Sequence, residues 1–265
     1  MKNCIIKNKN GVSYLQFIKL LEYEDIVKHA ITLKPFDIGS NNTYFNNKKT
    51  IEDNYKKICN ILQMDYKNIY RPYQTHTDKV YNINNEKPGT FIEELKDVDA
   101  VVTNKKDKIL TIGTADCIDI MFFDPVKKVI ANTHSGWKGT YQEIAVKTVE
   151  NMVENYGSKE NEILCFFGPS IRKCHFAVDR KVSEDFYKKF RSLSNIDEII
   201  NKKQGVEEYN IDTILINKTI LINKGLKQEN IIDCEICTVC DNDKFYSYRG
   251  EKESTGRNMG LISII

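Results

Sequence analysis

The segment Val129-Ile-Ala-Asn-Thr-His-Ser-Gly-Trp-Lys-Gly-Thr-Tyr-Gln-Glu143 predicts a strand that leads directly into a helix. It begins with a short apolar run that is typical of a buried strand. Thr140 and Glu143 have the spacing of a capping box, which predicts that a helix begins there. Between the two elements lie His134, Lys138, two glycines and the only Trp of the chain. A reactive side chain between a strand end and a helix start is a common arrangement in binding sites, so His134 is the first candidate site residue.

Outward from this segment, strand-like and helix-like stretches interleave. Helices are predicted over 50–62, from Tyr141 to a stop at Gly157, over 182–190 and over 212–225, while 27–47 has the composition of an irregular loop. Predicted strands cover 3–21 (with a turn near Asn10-Gly11), 69–81 (two runs), 99–102, 109–123, 129–131, 162–167, 231–237, 245–249 and 258–264. The pattern predicts the α/β class, bordering on α+β: one domain, residues 1–265, with mixed β-sheets flanked by outer helices.

Composition excludes several classes of function. Hydrophobic residues make up 41% and charged residues 29% of the 265, which is ordinary for a globular protein. The net charge of +2 gives no argument for a nucleic-acid or membrane partner. No apolar run approaches the roughly 20 residues of a membrane helix, and the N-terminus lacks the apolar core of a signal peptide. We therefore expect a cytoplasmic protein whose eight cysteines are reduced.

The four histidines of the chain include two in polar, turn-like surroundings at predicted strand ends, His76 and His134. Cys117 has a similar position after Ala115-Asp116. Two imidazoles and one thiolate are a suitable donor set for Zn²⁺, with the fourth position open as in catalytic zinc sites. The spacing is not local, so sequence alone leaves their convergence open.

The same residues suit two other classes of protein. Cys117 as nucleophile, His134 as base and Asp116 as the residue that orients the base would make a cysteine hydrolase or amidase. A protein that binds a metabolite without turnover is the third class. Polar residues concentrated at strand ends favour an enzyme over this binding protein.

A second candidate metal site consists of the closely spaced cysteines Cys234, Cys237 and Cys240. If residues 231–237 form a strand, neighbouring cysteines point to opposite faces and do not converge. No second Cys-x-x-Cys pair completes a zinc or iron–sulfur site, so a structural role is favoured. The loop from Gly168 to His175 is interpreted either as the border of a pocket or as a simple turn.

Several motifs occur together in the order of one known family. They are Gln74-Thr-His76, Asp99-Ala-Val-Val-Thr103, Thr114-Ala-Asp-Cys117, His134-Ser-Gly-Trp-Lys-Gly139, Gly168-Pro-Ser-Ile171, Cys237-Thr238, Tyr246-Ser-Tyr-Arg249 and Thr255-Gly-Arg257. Over roughly residues 69–264 the chain resembles the YfiH-like laccase-domain (multicopper polyphenol oxidase) family, now regarded as zinc-dependent purine nucleoside phosphorylases.

The resemblance implies one zinc ion per chain, held by His76, Cys117 and His134 as both metal ligands and catalytic residues, in a YfiH/CNF1-like fold. It implies phosphorolysis of adenosine, inosine or guanosine to the base and ribose 1-phosphate. Methylthioadenosine phosphorolysis and adenosine deamination are implied as further activities. Purine nucleosides and phosphate are thus the expected partners, and the oligomeric state is not readable.

The anion-binding residues are predicted from their charge. Arg249, Arg257, Lys138 and the helix start after Gly139 are the candidates for phosphate. Lys34 stands where family members have an Arg, and the paired glycines that follow in the family are missing from the divergent 29–40 loop. Lysine keeps the charge but loses the guanidinium fork.

The number of histidines tests whether the chain could be a four-copper laccase, as the older family name implies. A type 1 copper centre takes two His and one Cys, which leaves two of the four histidines for a trinuclear cluster. That number is too small, so a four-copper laccase is excluded. One adventitious copper ion in the zinc site remains compatible with the count.

Overall fold

The apolar runs of the sequence form β-sheets in the computed structural model, which describes residues 2–39, 48–84, 86–90, 92–202, 208–252 and 255–265. The strands are β1 (Cys4–Lys9), β2 (Val12–Phe17), β3 (Val27–Thr32), β4 (Ile69–Arg71), β5 (Val80–Asn82), β6 (Gly89–Thr90), β7 (Ala100–Thr103), β8 (Ile109–Thr114), β9 (Ile118–Asp124), β10 (Val129–Ser135), β11 (Leu164–Phe167), β12 (Ala177–Val178), β13 (Ile200–Lys202), β14 (Tyr209–Ile211), β15 (Ile231–Asp233) and β16 (Asn258–Ile264). The helices are α1 (Ile18–Leu21), α2 (Lys48–Leu62), α3 (Trp137–Tyr141), α4 (Ile144–Tyr156), α5 (Arg180–Phe190), α6 (Ile196–Ile199), α7 (Thr213–Lys224) and α8 (Tyr248–Glu251).

Two large sheets dominate the architecture, and both are mixed, as predicted. The first has seven strands in the order β1-β2-β3-β16-β8-β4-β6, and the second has six in the order β15-β11-β9-β10-β7-β5. Strands β4, β6 and β8 run parallel in the first sheet, and the β5–β7 and β11–β15 pairs are parallel in the second. The other pairings of the two sheets are antiparallel.

Alternation of side chains along continuous apolar strands builds three layers of core. In β9, Met121 and Phe123 pack into the cluster between the two sheets, whereas Ile120 and Phe122 pack into the cluster under α4 and α7. The outer face of the first sheet is covered by α2, as its predicted amphipathic pattern requires. The result is a four-layered arrangement of helix, sheet, sheet and helix.

Two helix ends confirm the predicted stop and start signals. Helix α4 ends at Gly157, which has the left-handed conformation (φ +68°) that favours glycine. Helix α7 begins after Asp212, whose carboxylate accepts a hydrogen bond from the Leu215 N–H at 2.9 Å, and ends before Gly225. Beside α7, the small sheet β12-β14-β13 packs with α5 around a separate aromatic cluster.

Several local predictions were wrong. Residues 18–21, the end of the predicted strands over 3–21, form α1. Residues 27–32 of the predicted loop form β3, while 40–47 lie outside the described residues. The predicted strand 245–249 is a loop that leads into α8, and the predicted strand 231–237 ends at Asp233. Thr140 caps no helix, because its hydroxyl is buried between Ser135 and Asn217, and α3 already begins after Gly136. Within the described ranges, no helix has both the length and the apolar character needed to cross a bilayer.

Candidate active site

The three predicted donor residues converge because of how the chain passes between the two large sheets. His76 lies in the connection from β4 to β5, and Cys117 lies in the connection from β8 to β9. Both connections leave the first sheet at the same edge, because β4 and β8 are parallel neighbours. His134 lies at the end of β10, where Ser135 pairs with Ile118 at the start of β9. The two crossing connections and the end of β10 therefore meet at one place.

The donor atoms of His76, Cys117 and His134 lie within 4.8 Å of one another. The Cys117 Sγ is 3.7 Å from the His76 Nε2, and the centroids of the two imidazole rings are 4.9 Å apart. His134 is buried, whereas His76 is exposed and Cys117 is intermediate. His76 also has a left-handed backbone (φ +64°), an unusual conformation for a residue other than glycine.

Asp99 holds this arrangement in place, and sequence reasoning assigned it no role. Its carboxylate is buried and lies 2.7 Å from the His134 Nδ1. It also accepts hydrogen bonds from the backbone N–H groups of Thr75, His76 and Thr77. With the Nδ1 proton donated to Asp99, the Nε2 of His134 is the nitrogen available for a ligand.

Electrostatics at the site favour the thiolate that a metal requires. Burial alone would raise the pKa of Cys117, but the neighbouring His134 and His76 lower it well below its usual range. Burial would likewise raise the pKa of Asp99, and its hydrogen bonds from His134 and Thr77 lower it instead. Both groups are therefore anionic at neutral pH, as a cationic centre beside them demands.

The donor set fits a zinc ion. Tetrahedral zinc with Zn–S and Zn–N bonds of about 2.3 and 2.0 Å places sulfur and nitrogen donors about 3.5 Å apart, close to the observed 3.7 Å between Cys117 and His76. A side chain at position 136 would fill this space. A Cβ on Gly136 would lie 2.7 Å from the His76 Cδ2 and 3.0 Å from the Cys117 Sγ. The glycine between β10 and α3 is thus required for the close approach of the donors.

A cavity of about 570 Å³ opens over the three donors. Its volume lies within the range of small-molecule sites. Ile171 and Phe176 contribute to its wall, so the loop from Gly168 to His175 does border the pocket. Aromatic and cationic side chains also line it: Tyr73, Trp137 and Tyr248 with Arg71, Arg249 and Arg257.

The predicted anion-binding residues divide into two groups. Arg249 and Arg257 line the cavity. Lys34 and Lys138, both described, lie outside its lining: the Lys34 ammonium pairs with Glu251, and Lys138 is exposed beside the Trp137 ring. No helix begins directly after Gly139, as predicted for the phosphate site, because Gly139 lies inside α3.

Arg71 is a cavity residue that sequence reasoning missed. It is 1% exposed, and its guanidinium donates to the Ile38 and Gly39 carbonyls and to the Tyr55 hydroxyl. The local sequence Tyr70-Arg-Pro72 does not predict that this arginine is buried. A buried arginine needs such acceptors, and they come from residues distant in sequence.

Asp116 and His29 both have hydrogen-bond partners away from the three donors. Asp116 does not orient His134, because its two carboxylate oxygens accept hydrogen bonds from the Thr238 hydroxyl and the Arg249 N–H, both at 2.6 Å. Asp99 takes that position instead. His29 is buried in β3, and its Nε2 accepts a hydrogen bond from the Phe17 N–H at 2.8 Å. Burial and the charge of Lys7 lower its pKa to about 3, so it is a neutral structural histidine.

Comparison with known proteins finds two similar enzymes and a similar solved structure. The purine nucleoside phosphorylase YlmD of Bacillus subtilis (strain 168) is 29% identical over 240 residues, which cover 89% of this chain and 85% of that protein. The adenosine deaminase RL5, from an unknown prokaryotic organism, is 30% identical over 200 residues, or 74% of this chain and 75% of RL5. The crystal structure of the hypothetical protein YfiH from Bacillus licheniformis has a TM-score of 0.85 and 25% identity, covering 97% of this chain and 100% of YfiH.

The family itself follows from a match along most of the chain. The model of the family described as multi-copper polyphenol oxidoreductase laccase matches residues 33–265, a range that contains every motif quoted above. The likeness to YfiH confirms the predicted α/β fold with mixed sheets. The chain therefore belongs to the multi-copper polyphenol oxidoreductase laccase family.

Proposed function

We propose that this chain is a zinc-dependent purine nucleoside phosphorylase. It cleaves adenosine, inosine or guanosine with phosphate to the free base and ribose 1-phosphate, and it accepts methylthioadenosine and deaminates adenosine at the same site. The observation that carries this proposal is the convergence of His76, Cys117 and His134 below a cavity of about 570 Å³. The names of YlmD and RL5 supply the two reaction classes.

The proposed roles of the metal ligands follow from the donor geometry. His76, Cys117 and His134 hold the metal, and zinc bound there supplies Lewis-acid chemistry to the cavity. Asp99 is a positioning residue: it holds the proton of His134 on Nδ1 and fixes the loop that carries His76. Three protein donors are the number found in catalytic zinc sites, which leaves room for substrate.

The cavity wall provides for both halves of the reaction. A purine is a flat aromatic ring, and the rings of Phe176 and Tyr248 offer it stacking surfaces. Phosphate needs cationic donors near the ribose, and Arg249 and Arg257 are the two predicted residues that line the cavity. Guanidinium groups in this position also stabilise negative charge that builds up during cleavage of the glycosidic bond.

The direct test is an assay of the purified, zinc-loaded chain with inosine and phosphate. We expect phosphate-dependent formation of hypoxanthine and ribose 1-phosphate, and formation of inosine and ammonia when adenosine is supplied. Zinc-loaded protein that gives no ribose 1-phosphate with any of the proposed nucleosides would refute the main proposal.

A metal measurement separates the site from the reaction. Cys117→Ala removes the only sulfur donor of the cluster, so zinc bound at this site is lost together with activity. Cys59→Ala is the matched control, because Cys59 is a buried thiol on the inner face of α2 and belongs to a different packing cluster. A Cys117→Ala protein that loses the metal but keeps its activity would contradict the metal dependence. A covalent substrate adduct on Cys117 would favour the cysteine hydrolase.

A further inference from the structure

A second group of metal-binding side chains lies outside the candidate active site. It consists of Cys174, His175, Cys237 and Cys240, whose donor atoms all lie within 4.8 Å of one another. Cys174 and Cys240 are exposed, and Cys237 is buried. All eight cysteines lie within the described residues and are free thiols, so no disulfide accounts for this grouping.

The distances within this Cys3His cluster match the edges of a coordination tetrahedron. Bonds of about 2.3 Å to sulfur and 2.0 Å to nitrogen give edges of about 3.8 Å between two sulfurs and about 3.5 Å between sulfur and nitrogen. The Cys174 Sγ lies 3.6 Å from the Cys237 Sγ and 3.9 Å from the Cys240 Sγ. The His175 Nδ1 lies 3.2, 3.6 and 3.6 Å from the sulfurs of Cys174, Cys237 and Cys240. These five distances lie within about 0.3 Å of the ideal edges, and the sulfurs of Cys237 and Cys240 lie within 4.8 Å of each other.

The local backbone explains how the cluster forms. Strand β15 ends at Asp233, and Glu235 takes a left-handed conformation (φ +59°), so the chain turns instead of continuing as a strand. Cys237 and Cys240 then lie on one tight turn, a Cys-x-x-Cys segment of the kind found in zinc sites.

We propose that Cys174, His175, Cys237 and Cys240 bind a second Zn²⁺ ion in a closed, structural site. Three thiolates and one imidazole are soft donors in the number and geometry that structural zinc prefers. Four protein ligands leave no position for substrate, so this site differs in kind from the three-donor site. The expected content of the chain becomes two zinc ions rather than one. The inference stands on this cluster alone and does not depend on the proposed catalytic reaction.

The second site joins two segments that border the cavity. One segment carries Cys174 and His175 and is followed directly by Phe176 of the cavity wall. The other begins with Cys237, which forms a β-bridge with Ser170, and continues to Arg249. The Arg249 guanidinium donates to the His175 carbonyl at 3.0 Å and to the Ala177 carbonyl at 3.3 Å. Zinc at this site would therefore fix the wall on which Arg249 rests.

Zinc content measures the proposal directly. The full chain is purified under reducing conditions, loaded with Zn²⁺ and analysed by elemental mass spectrometry against protein concentration. We expect two zinc ions per chain for the unchanged protein, one for Cys240→Ser and one for Cys117→Ala. Cys59→Ser, which removes a buried thiol far from both clusters, keeps two and serves as the matched control.

Cobalt distinguishes which site is lost. Each thiolate bound to Co²⁺ adds intensity to the sulfur-to-metal charge-transfer absorption, so the second site contributes three thiolates and the first site one. We expect Cys240→Ser to remove most of this absorption and Cys117→Ala to remove about a quarter of it. The unchanged protein should show the absorption of four bound thiolates, whereas metal at the first site alone would give that of one, so the proposal is tested even if Cys240→Ser fails to fold.

Three results would overturn the proposal. The first is a Cys117→Ala protein that binds no zinc while its seven remaining thiols are reduced. The second is a Cys240→Ser protein that keeps two zinc ions. The third is an intact mass two daltons low, with the disulfide mapped to Cys174, Cys237 or Cys240 in protein kept under reducing conditions.

Discussion

Replacing Asp99 by Asn tests how the candidate active site holds its metal. The Oδ1 of Asp99 faces the His134 Nδ1 and the His76 N–H, and the Oδ2 accepts from the Thr75 and Thr77 N–H groups and the Thr77 hydroxyl. Asparagine has one acceptor oxygen, so one of the two sets of donors loses its partner.

The preferred orientation of that amide determines the effect. With its oxygen toward Thr75 and Thr77, the amide keeps three hydrogen bonds and turns its NH₂ group toward His134. The His134 Nδ1 then becomes an acceptor, and its proton moves to Nε2, the nitrogen needed for the metal. Loss of such an outer partner lowers metal affinity by about 10- to 100-fold, equivalent to about 1.4–2.7 kcal/mol.

Zinc competition against a chromophoric chelator measures this loss, and thermal unfolding in the presence of EDTA measures the stability of the metal-free fold. Asp97→Asn is the matched control, since Asp97 is exposed and its carboxylate accepts a hydrogen bond from the Thr75 hydroxyl rather than from His134. Zinc affinity of Asp99→Asn equal to that of the unchanged protein would refute the reasoning. Equal weakening by Asp97→Asn would attribute the effect to the loop rather than to His134.

Two further predictions concern a glycine and a buried ion pair. Gly136→Ala should weaken zinc binding by at least about 10-fold in the same competition assay, because the added Cβ would displace His76 and Cys117. The metal-free protein should stay folded. An unchanged zinc affinity would show that the donors can move apart freely. Burial alone would raise the pKa of Asp233, but its hydrogen bonds from Arg172 lower it. The ionised carboxylate therefore stabilises the fold at pH values above its unfolded pKa of about 3.9. This stability is lost as the pH falls through the lower pKa of the folded state. Asp233→Asn should therefore cost about 3–5 kcal/mol at pH 7 and make stability less dependent on pH below about 4, as measured by urea unfolding across pH; a parallel pH profile for the variant would contradict this.

The three candidate donors could be selected from the sequence because their side-chain chemistry is rare in this chain. Four histidines are few enough that two of them at strand ends, with one Cys in a similar position, define a donor set. Asp99 could not be assigned in the same way. Its role depends on a β10–β7 register that brings its carboxylate to a histidine 35 positions later. Aspartates are common, and sequence does not reveal which one is buried under an imidazole.

The Cys3His cluster shows where pattern reasoning failed. The alternation rule is sound for a strand, but the strand ends at Asp233, and the left-handed backbone of Glu235 changes the direction of the chain. Glutamate gives no sign of such a conformation, whereas a glycine would have done so. The ion pair between Lys34 and Glu251 could not be predicted either, because the two residues lie 217 positions apart in the sequence.

The crossing of the chain between the two sheets has a thermodynamic consequence. His76 and Cys117 sit on the two connections that join the sheets, and the Asn132 amide donates from β10 to the Leu110 and Gly260 carbonyls of the facing sheet. Metal occupancy is therefore linked to the docking of one sheet on the other. Amide hydrogen exchange near the ends of β8 and β10 should slow when zinc is bound, and solvents that loosen the interface between the sheets should release the metal before the strands themselves unfold.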